Sequence, residues 1–467
     1  MASTGPLVAG VDSSTQSVKV VVRNAQTGEL VREVRATHPD GTEVAPQVWW
    51  QALSGVLADA LEDVTAMAVA AQQHGMVVLD EAGEVVRPAL LWNDTRSAED
   101  AADLVRELGG PQAWADAVGS VPVAAFTVSK VRWLARSEPE QARRVASLML
   151  PHDYLTWLLA GRPEQATTDR GDASGTGYWS PAEGAYREDL VRLALGHVPD
   201  LPRVAGPDQI VGQTPTGIQL APGTGDNMGA ALALDAGPGD VVVSLGTSGT
   251  AFACSTIPAA DPTGFVAGFA DATGRFLPLV CTLNAARILT ATAHLLGVDP
   301  NELGSLAMTA EPGSDGLTLL PYFDGERTPN LPQARGSLHG ITRENLTPAN
   351  IARSAIEGML GGLADAVDAL VAVGVTPGRV LLVGGAAANP AVAEVAATMF
   401  SVPIEVPPPG EYVADGAARQ AAWALAGGAN PPVWERLRDG PTLRLEPTPV
   451  PVVREQYAAA RTALYSR

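Results

Sequence analysis

An apolar run, Leu7 to Val11, breaks into a polar stretch, Asp12 to Ser17, and resumes as Val18 to Val22, with Gly28 in the next turn. Two short apolar runs around a hydroxyl-rich segment predict a two-stranded hairpin. Much later the same grammar returns: Val241 to Val243, then Gly246-Thr247-Ser248-Gly249-Thr250, then Ala251 to Ala253. The repetition predicts an internal duplication. Aligning the copies sets Ser14 against Thr247 and Thr15 against Ser248 but Asp12 against Leu245, so the hydroxyls recur and the carboxylate does not.

Between the hairpins, helical stretches such as Asp100 to Leu108 and Tyr154 to Leu159 alternate with short apolar runs such as Ala66 to Ala70. That alternation predicts an α/β class. The Pro-rich segment from Pro199 to Asn227 reads as loops leading into the interlobe region. Beyond the second hairpin the pattern predicts a helix around Ala285 to Leu296, a loop from Tyr322 to Asn330 and a helix from Pro348 to Val373. A strand from Val380 to Val383 then runs into Gly384-Gly385, and a closing helix follows Asp415.

At 467 residues the chain is too long for one ordinary core, which predicts two large lobes with a cleft between them. A hydrophobic content of 46% with 18% charged residues is that of a folded globular chain. The net charge of -20 and the lack of any Lys/Arg run argue against a nucleic acid partner. Lys19 and Lys130 are the only lysines, and neither follows a glycine-rich run, so a P-loop is excluded. Two cysteines, Cys254 and Cys281, support neither a disulfide framework nor a Cys-based zinc site and fit a reducing cytoplasm. The opening MASTGPLVAG lacks a basic segment followed by an apolar one, and no run approaches the ~20 apolar residues of a membrane span. Secretion and membrane insertion are therefore not expected.

Gly, Ser and Thr in both hairpin turns let backbone N–H groups and short donors approach an anion, so the two turns are candidates for a phosphate clamp. Either turn alone is better explained by the conformational preference of tight turns for these residues, and it is the duplication that favours the clamp. A carboxylate beside a phosphate needs a cation between them, which makes Asp12 a candidate Mg²⁺ ligand. In GTGDNMGAALAL, Gly223 to Leu234, Asp226 stands where an Ala/Leu-rich helix begins; it reads as an N-cap that could also accept a proton. Gln72, Gln73 and His74 close an apolar strand and suit the hydroxyls of a sugar. LLWNDTRS, Leu90 to Ser97, and TTDRGDASGTGYW, Thr167 to Trp179, are dense in polar groups next to tryptophan. In LLVGGAAANP, Leu381 to Pro390, a flat ligand such as adenine could lie on Gly384-Gly385, with Asn389 nearby; close strand-to-helix packing is the plainer reading.

Taken together and in this order, these segments resemble the FGGY family of carbohydrate kinases over nearly the whole chain. The likeness is greatest to members acting on D-xylulose, which usually carry Gly-Gln-Met-His-Gly where this chain has Ala71-Gln72-Gln73-His74-Gly75. Glycerol-specific members carry Arg-Glu in place of Gln73-His74. The resemblance implies two ribonuclease H-like, actin-like ATPase domains, 1–235 with the sugar site and catalytic base and 236–467 with the ATP site. It implies Asp226 as catalytic base and Gln73, His74, Asp226 and Asn227 as sugar contacts. The nucleotide would fall to Ser14, Thr15, Gly246, Thr247 and Ser248, with Gly384, Gly385 and Asn389 near adenosine and Asp12 near Mg²⁺. The expected reaction is ATP-dependent phosphorylation of D-xylulose to D-xylulose 5-phosphate. A kinase for ribulose, glycerol or another ketose or polyol is the alternative within enzymes, and a non-catalytic actin-like sugar sensor the alternative outside them. A small-molecule sugar is the expected partner, with a homodimer among the assemblies open to the chain.

Overall fold

Side chains of the first strand, Leu7–Ser13, point alternately into two apolar layers: Ala9 and Val11 join one core and Val8 the other. The same split recurs on Val64–Ala71, where Met67 and Val69 face one layer and Ala66, Ala68 and Ala70 the other. A strand buried on both faces is expected when helices cover both sides of a sheet. In the computed structural model, which describes residues 5–39, 41–434 and 440–465, the chain divides into two compact units.

The first unit comprises 1–236, 256–277 and 410–439. Its sheet runs in the order Gly212–Gln213, Gln219–Leu220, Val64–Ala71, Leu7–Ser13, Ser17–Asn24, Leu30–Thr37, and Thr224–Gly225 also pairs with Val64–Ala71. Leu7–Ser13 is antiparallel to Ser17–Asn24 and parallel to Val64–Ala71. Helices Pro46–Ala60 and Pro151–Leu159 cover one face through Trp49, Leu53, Leu155 and Trp157. Helix Tyr412–Ala426 covers the other with Ala414, Ala417, Ala418 and Ala421. Small side chains let that helix come into near backbone contact: a Cβ on Gly10 would lie 1.9 Å from the Ala414 carbonyl oxygen, and one on Gly416 would lie 1.8 Å from that of Gly229.

The second unit comprises 237–255, 278–409 and 440–467. Asp240–Leu245 pairs antiparallel with Gly249–Ala253 and parallel with Arg379–Val383, and Ile404–Val406 extends the sheet. The long helix Pro348–Ala372 packs on this sheet and on helices Ala286–Leu296 and Pro300–Ala307.

Several sequence expectations are corrected here. Asp12 and Ser13 belong to the first strand, so the turn is Ser14 to Gln16. The segment 199–227 is not all loop; it carries the short strands Arg203–Ala205, Gly212–Gln213, Gln219–Leu220 and Thr224–Gly225, whose pairing depends on distant partners. The helix expected after Asp415 begins at Tyr412 and belongs to the first unit, and a further helix, Pro451–Tyr465, follows it. The compact units are interleaved along the chain, which passes from the first to the second after 236 and returns to the first at 256–277 and 410–439.

Candidate active site

Ser13 and Gly225 are both in register with Ala71, from opposite sides of the strand Val64–Ala71. At two strand spacings they lie about 10 Å apart. Ser14, Gln72 and Asp226 therefore leave the sheet at one end, where parallel strands commonly present ligand-binding residues.

Gly225 takes the extended N-cap conformation and Asp226 is the first helical residue of Asp226–Ala233, so the expected N-cap role passes to Gly225. Oδ1 of Asp226 accepts hydrogen bonds from the Asn227 backbone N–H and from Asn227 Nδ2, both at 2.8 Å. That same Nδ2 donates to Gln73 Oε1 at 3.1 Å. Gly225 must stay small, since a Cβ there would lie 2.9 Å from Gln73 Cγ. Burial pushes the Asp226 carboxyl up to about 7; the Asn227 bonds oppose the rise and the Asp12 charge adds to it. The residue is partly exposed, while its carboxyl is desolvated by its surroundings. A carboxylate with this pKa is matched to accepting a proton near neutral pH.

Asp12 is 5% exposed and its Oδ1 has no hydrogen-bond partner. Its carboxyl is pushed up to about 7, by burial first, with Lys19 lowering it and Glu411 raising it. Lys19 sits opposite Asp12 across the hairpin, but its ammonium is bonded to Glu411. A buried carboxylate oxygen left without a donor fits a divalent cation of the Mg²⁺ type, which takes one or two carboxylates and completes its shell with water and phosphate. Among the described residues no set of three or more His, Cys, Asp or Glu side chains forms a metal cage.

The hydroxyls of the first turn are engaged locally. Ser14 Oγ donates to the Ser17 carbonyl at 2.9 Å, and Thr15 Oγ1 accepts from Trp92 Nε1 at 3.0 Å. His74 holds a left-handed backbone at φ 68°, uncommon for a residue with a side chain. Its Nδ1 lies 2.6 Å from the Gly175 carbonyl oxygen and so carries the proton, while the ring packs on Phe126 and Phe269 at 5.0 and 5.7 Å. Gln73 Nε2 is buried without a hydrogen-bond partner, and so is Asn93 Oδ1. Buried polar atoms of this kind are costly unless a ligand or water completes them.

The sequence marks TTDRGDASGTGYW by its polar content, and PHDYLTWLLAG, Pro151 to Gly161, only as part of the family resemblance, without singling out the cluster the two segments build. His152, fully buried, places Nδ1 2.7 Å from Asp172 Oδ2 and Nε2 3.1 Å from Asp153 Oδ1, with Asp169 Oδ1 at 3.9 Å. The one signal available was a histidine between proline and aspartate, with two further aspartates downstream.

In the second unit, Leu245 and Val383 end adjacent parallel strands, which puts the turn Gly246-Thr247-Ser248 beside Gly384. Gly384 has φ 94°, and a Cβ there would lie 2.7 Å from the Leu245 carbonyl, so close packing alone requires glycine. Gly385 faces open space. Asn389 caps helix Pro390–Met399 through Oδ1 to the Ala391 N–H at 3.0 Å, and its Nδ2 donates to the Pro300 carbonyl at 2.8 Å. Its side chain is thus committed to holding two helices.

The chain matches the FGGY family of carbohydrate kinases, N-terminal domain, over residues 7–244 and the family's C-terminal domain over 241–425. This chain belongs to the FGGY family of carbohydrate kinases. It is 47% identical over 443 residues to the xylulose kinase of Streptomyces coelicolor, covering 91% of this chain and 89% of that one. It is 46% identical over 446 residues to the xylulose kinase of Streptomyces rubiginosus, with the same coverage. The crystal structure of xylulose kinase from Bifidobacterium adolescentis is similar at TM-score 0.90 and 45% identity, covering 98% of this chain and 100% of that one. Plasmodium falciparum glycerol kinase with ADP shares the fold at TM-score 0.85 and 18% identity, covering 99% and 98%. The FGGY kinase has the expected α/β, two-domain actin-like ATPase fold. No helix among the described residues is long and apolar enough to cross a membrane.

Proposed function

We propose that this carbohydrate kinase phosphorylates D-xylulose to D-xylulose 5-phosphate with ATP as donor, and that Asp226 is its general base. One observation carries the assignment of the base. Asp226 is a desolvated carboxylate with a pKa near 7, held by Asn227 at the end of the sheet where Asp12, Gln73 and His74 also converge. The choice of xylulose is supported by the identity to proteins named xylulose kinase over most of their length.

In the proposed step Asp226 takes the proton of the sugar's terminal hydroxyl as that oxygen forms a bond to the γ-phosphorus. The bond from that phosphorus to the bridging oxygen breaks and ADP leaves. Most of the acceleration comes from positioning and from offsetting charge on the transferred phosphoryl group. Gln73 Nε2 supplies a donor to a sugar oxygen, and His74, its ring oriented by the Nδ1 bond to the Gly175 carbonyl, would be a further sugar contact. Asp12 would hold Mg²⁺, whose chemistry is to neutralise phosphate charge. The turn residues Ser14 and Thr15, and Gly246, Thr247 and Ser248, would contact phosphates, with the Ser14 N–H itself kept by the Ser17 carbonyl at 3.0 Å, and Gly384, Gly385 and Asn389 would border adenosine. A cytoplasmic setting accompanies this reading, and a homodimer is one assembly open to it.

The test is ADP release and phosphosugar formation over a panel of D-xylulose, D-ribulose and glycerol. Preference for D-xylulose by at least about 100-fold in kcat/KM, roughly the discrimination available from a few well-placed hydrogen bonds, is expected. Preference for ribulose or glycerol overturns the substrate, and ATP binding without sugar-dependent turnover favours a sensor.

A further inference from the structure

Asp226 stands at the end of a segment with little intrinsic stiffness. Thr224–Gly225 is a strand of two residues, flanked by Gly223 at φ 83° and followed by the helix start. Glycine on either side of a single threonine leaves the backbone many alternatives. A two-residue pairing to Ala70 and Ala71 restrains it weakly.

What stiffens it is a set of side chains with no part of their own in the proposed proton transfer. Thr224 Oγ1 donates to Asp169 Oδ2 at 2.8 Å. That same oxygen also accepts from the Gly171 N–H at 2.9 Å, and Asp169 Oδ1 accepts from the Asp172 N–H at 2.9 Å. His152 lies underneath: a Cβ on Gly223 would meet its Cδ2 at 2.7 Å. Burial lowers the affinity of this imidazole for a proton, but Asp153, Asp172 and Asp169 around it outweigh that and raise its pKa to about 9. Three buried carboxylates are thus gathered about one buried cation, and the hydroxyl of Thr224 connects that cluster to the strand end carrying Asp226.

We propose that Thr224 and Asp169, braced by the His152–Asp172 ion pair, are positioning residues that fix the carboxylate of Asp226 for proton transfer. The inference rests on the reading of Asp226 as base. It follows from the scale of catalytic geometry: a misplacement of about 1 Å costs on the order of 100-fold in rate. Gln420 anchors Gly223, accepting from its N–H and donating to its carbonyl, both at 2.9 Å, so the freedom gained on losing the latch falls to Thr224 and Gly225, next to Asp226.

The experiment compares native enzyme with Thr224→Val, Thr224→Ser and Asp226→Asn, with Thr224→Ala in parallel as the smaller hydroxyl-free side chain. It records kcat, KM for D-xylulose and for ATP, and melting temperature. Thr224→Val and Thr224→Ala should lose roughly 10- to 100-fold in kcat while KM for the sugar moves less than about 3-fold. Thr224→Ser, which keeps the donor, should recover most of the loss. If Asp226→Asn is inactive while both hydroxyl-free variants turn over at the native rate with only a lower melting temperature, Thr224 is structural and the inference is overturned. Failure of Thr224→Ser to rescue overturns it equally. Native turnover by Asp226→Asn would remove the base assignment itself.

Discussion

Gln73 and Asn227 are joined side chain to side chain at 3.1 Å, which links the residues after one strand to the first turn of the helix that carries Asp226. Through the same nitrogen Asn227 reaches Asp226 Oδ1 at 2.8 Å, so a single amide orients both the Gln73 side chain and the carboxylate. Asn227→Ala removes both bonds. A hydrogen bond to a charged acceptor is worth about 1.5–3 kcal/mol, so kcat/KM for the sugar should fall roughly 10- to 100-fold, measured by steady-state kinetics.

The pH dependence of the reaction follows from the raised carboxyls. As the proposed base, Asp226 would work only when ionised, and its pKa is pushed to about 7. Activity should therefore be lost as pH falls through that value and saturate above it. Asp12, also pushed to about 7, lies near enough to share the titration, so the profile reports the pair. A plot of kcat/KM from pH 5.5 to 8.5 should show an acidic limb with a midpoint near 7; an acidic limb near 4 would mean the carboxylates are not desolvated in the working enzyme.

Stability should respond to pH through His152. Its folded pKa, about 9, exceeds the ordinary 6.5, so the folded state binds the proton more tightly. Its contribution is fully present below pH 6.5 and disappears as pH rises through 9. Asp153 and Asp172, raised to about 7 and 6, act in the same direction at lower pH. The melting temperature of the first unit should fall between pH 6.5 and 9, and His152→Gln should flatten that slope while lowering the value at pH 6.5.

What the sequence disclosed, and what it did not, follows from range. The hairpin around Ser14 and Thr15, the helix from Pro348 and the strand into Gly384 are patterned within one short window. Gln73 and His74 stand out because they end an apolar strand with polar groups, and Asp226 because it stands where a Gly-rich loop gives way to an Ala/Leu-rich helix. The pairing of Thr224 with Ala70 was not, since two residues give no alternation to read. Nor was the return of helix Tyr412–Ala426 to the first unit: an alanine-rich helix shows its small face without saying which strand lies against it. The cluster about His152 joins residues from 152 to 224, and only folding brings its carboxylates onto one imidazole.

Gly10 offers a test of that helix placement. A methyl there would meet the Ala414 carbonyl oxygen at 1.9 Å and the Ala418 nitrogen at 2.3 Å, both backbone atoms that cannot rotate away. Overpacking costs about 1–3 kcal/mol or more, so Gly10→Ala should lower the melting temperature by several degrees, or fail to fold, by thermal denaturation. Gly55, whose Cβ would meet nothing within 4 Å, is the matched control and should tolerate alanine.

The most direct test of Asp226 as base is a single-turnover measurement with the native protein and Asp226→Asn, saturated with ATP and D-xylulose, following D-xylulose 5-phosphate. Removing a general base should slow the step by about 100- to 10,000-fold, with sugar binding by calorimetry retained. Phosphosugar formation by Asp226→Asn within about 3-fold of native, well short of that range, would contradict the account.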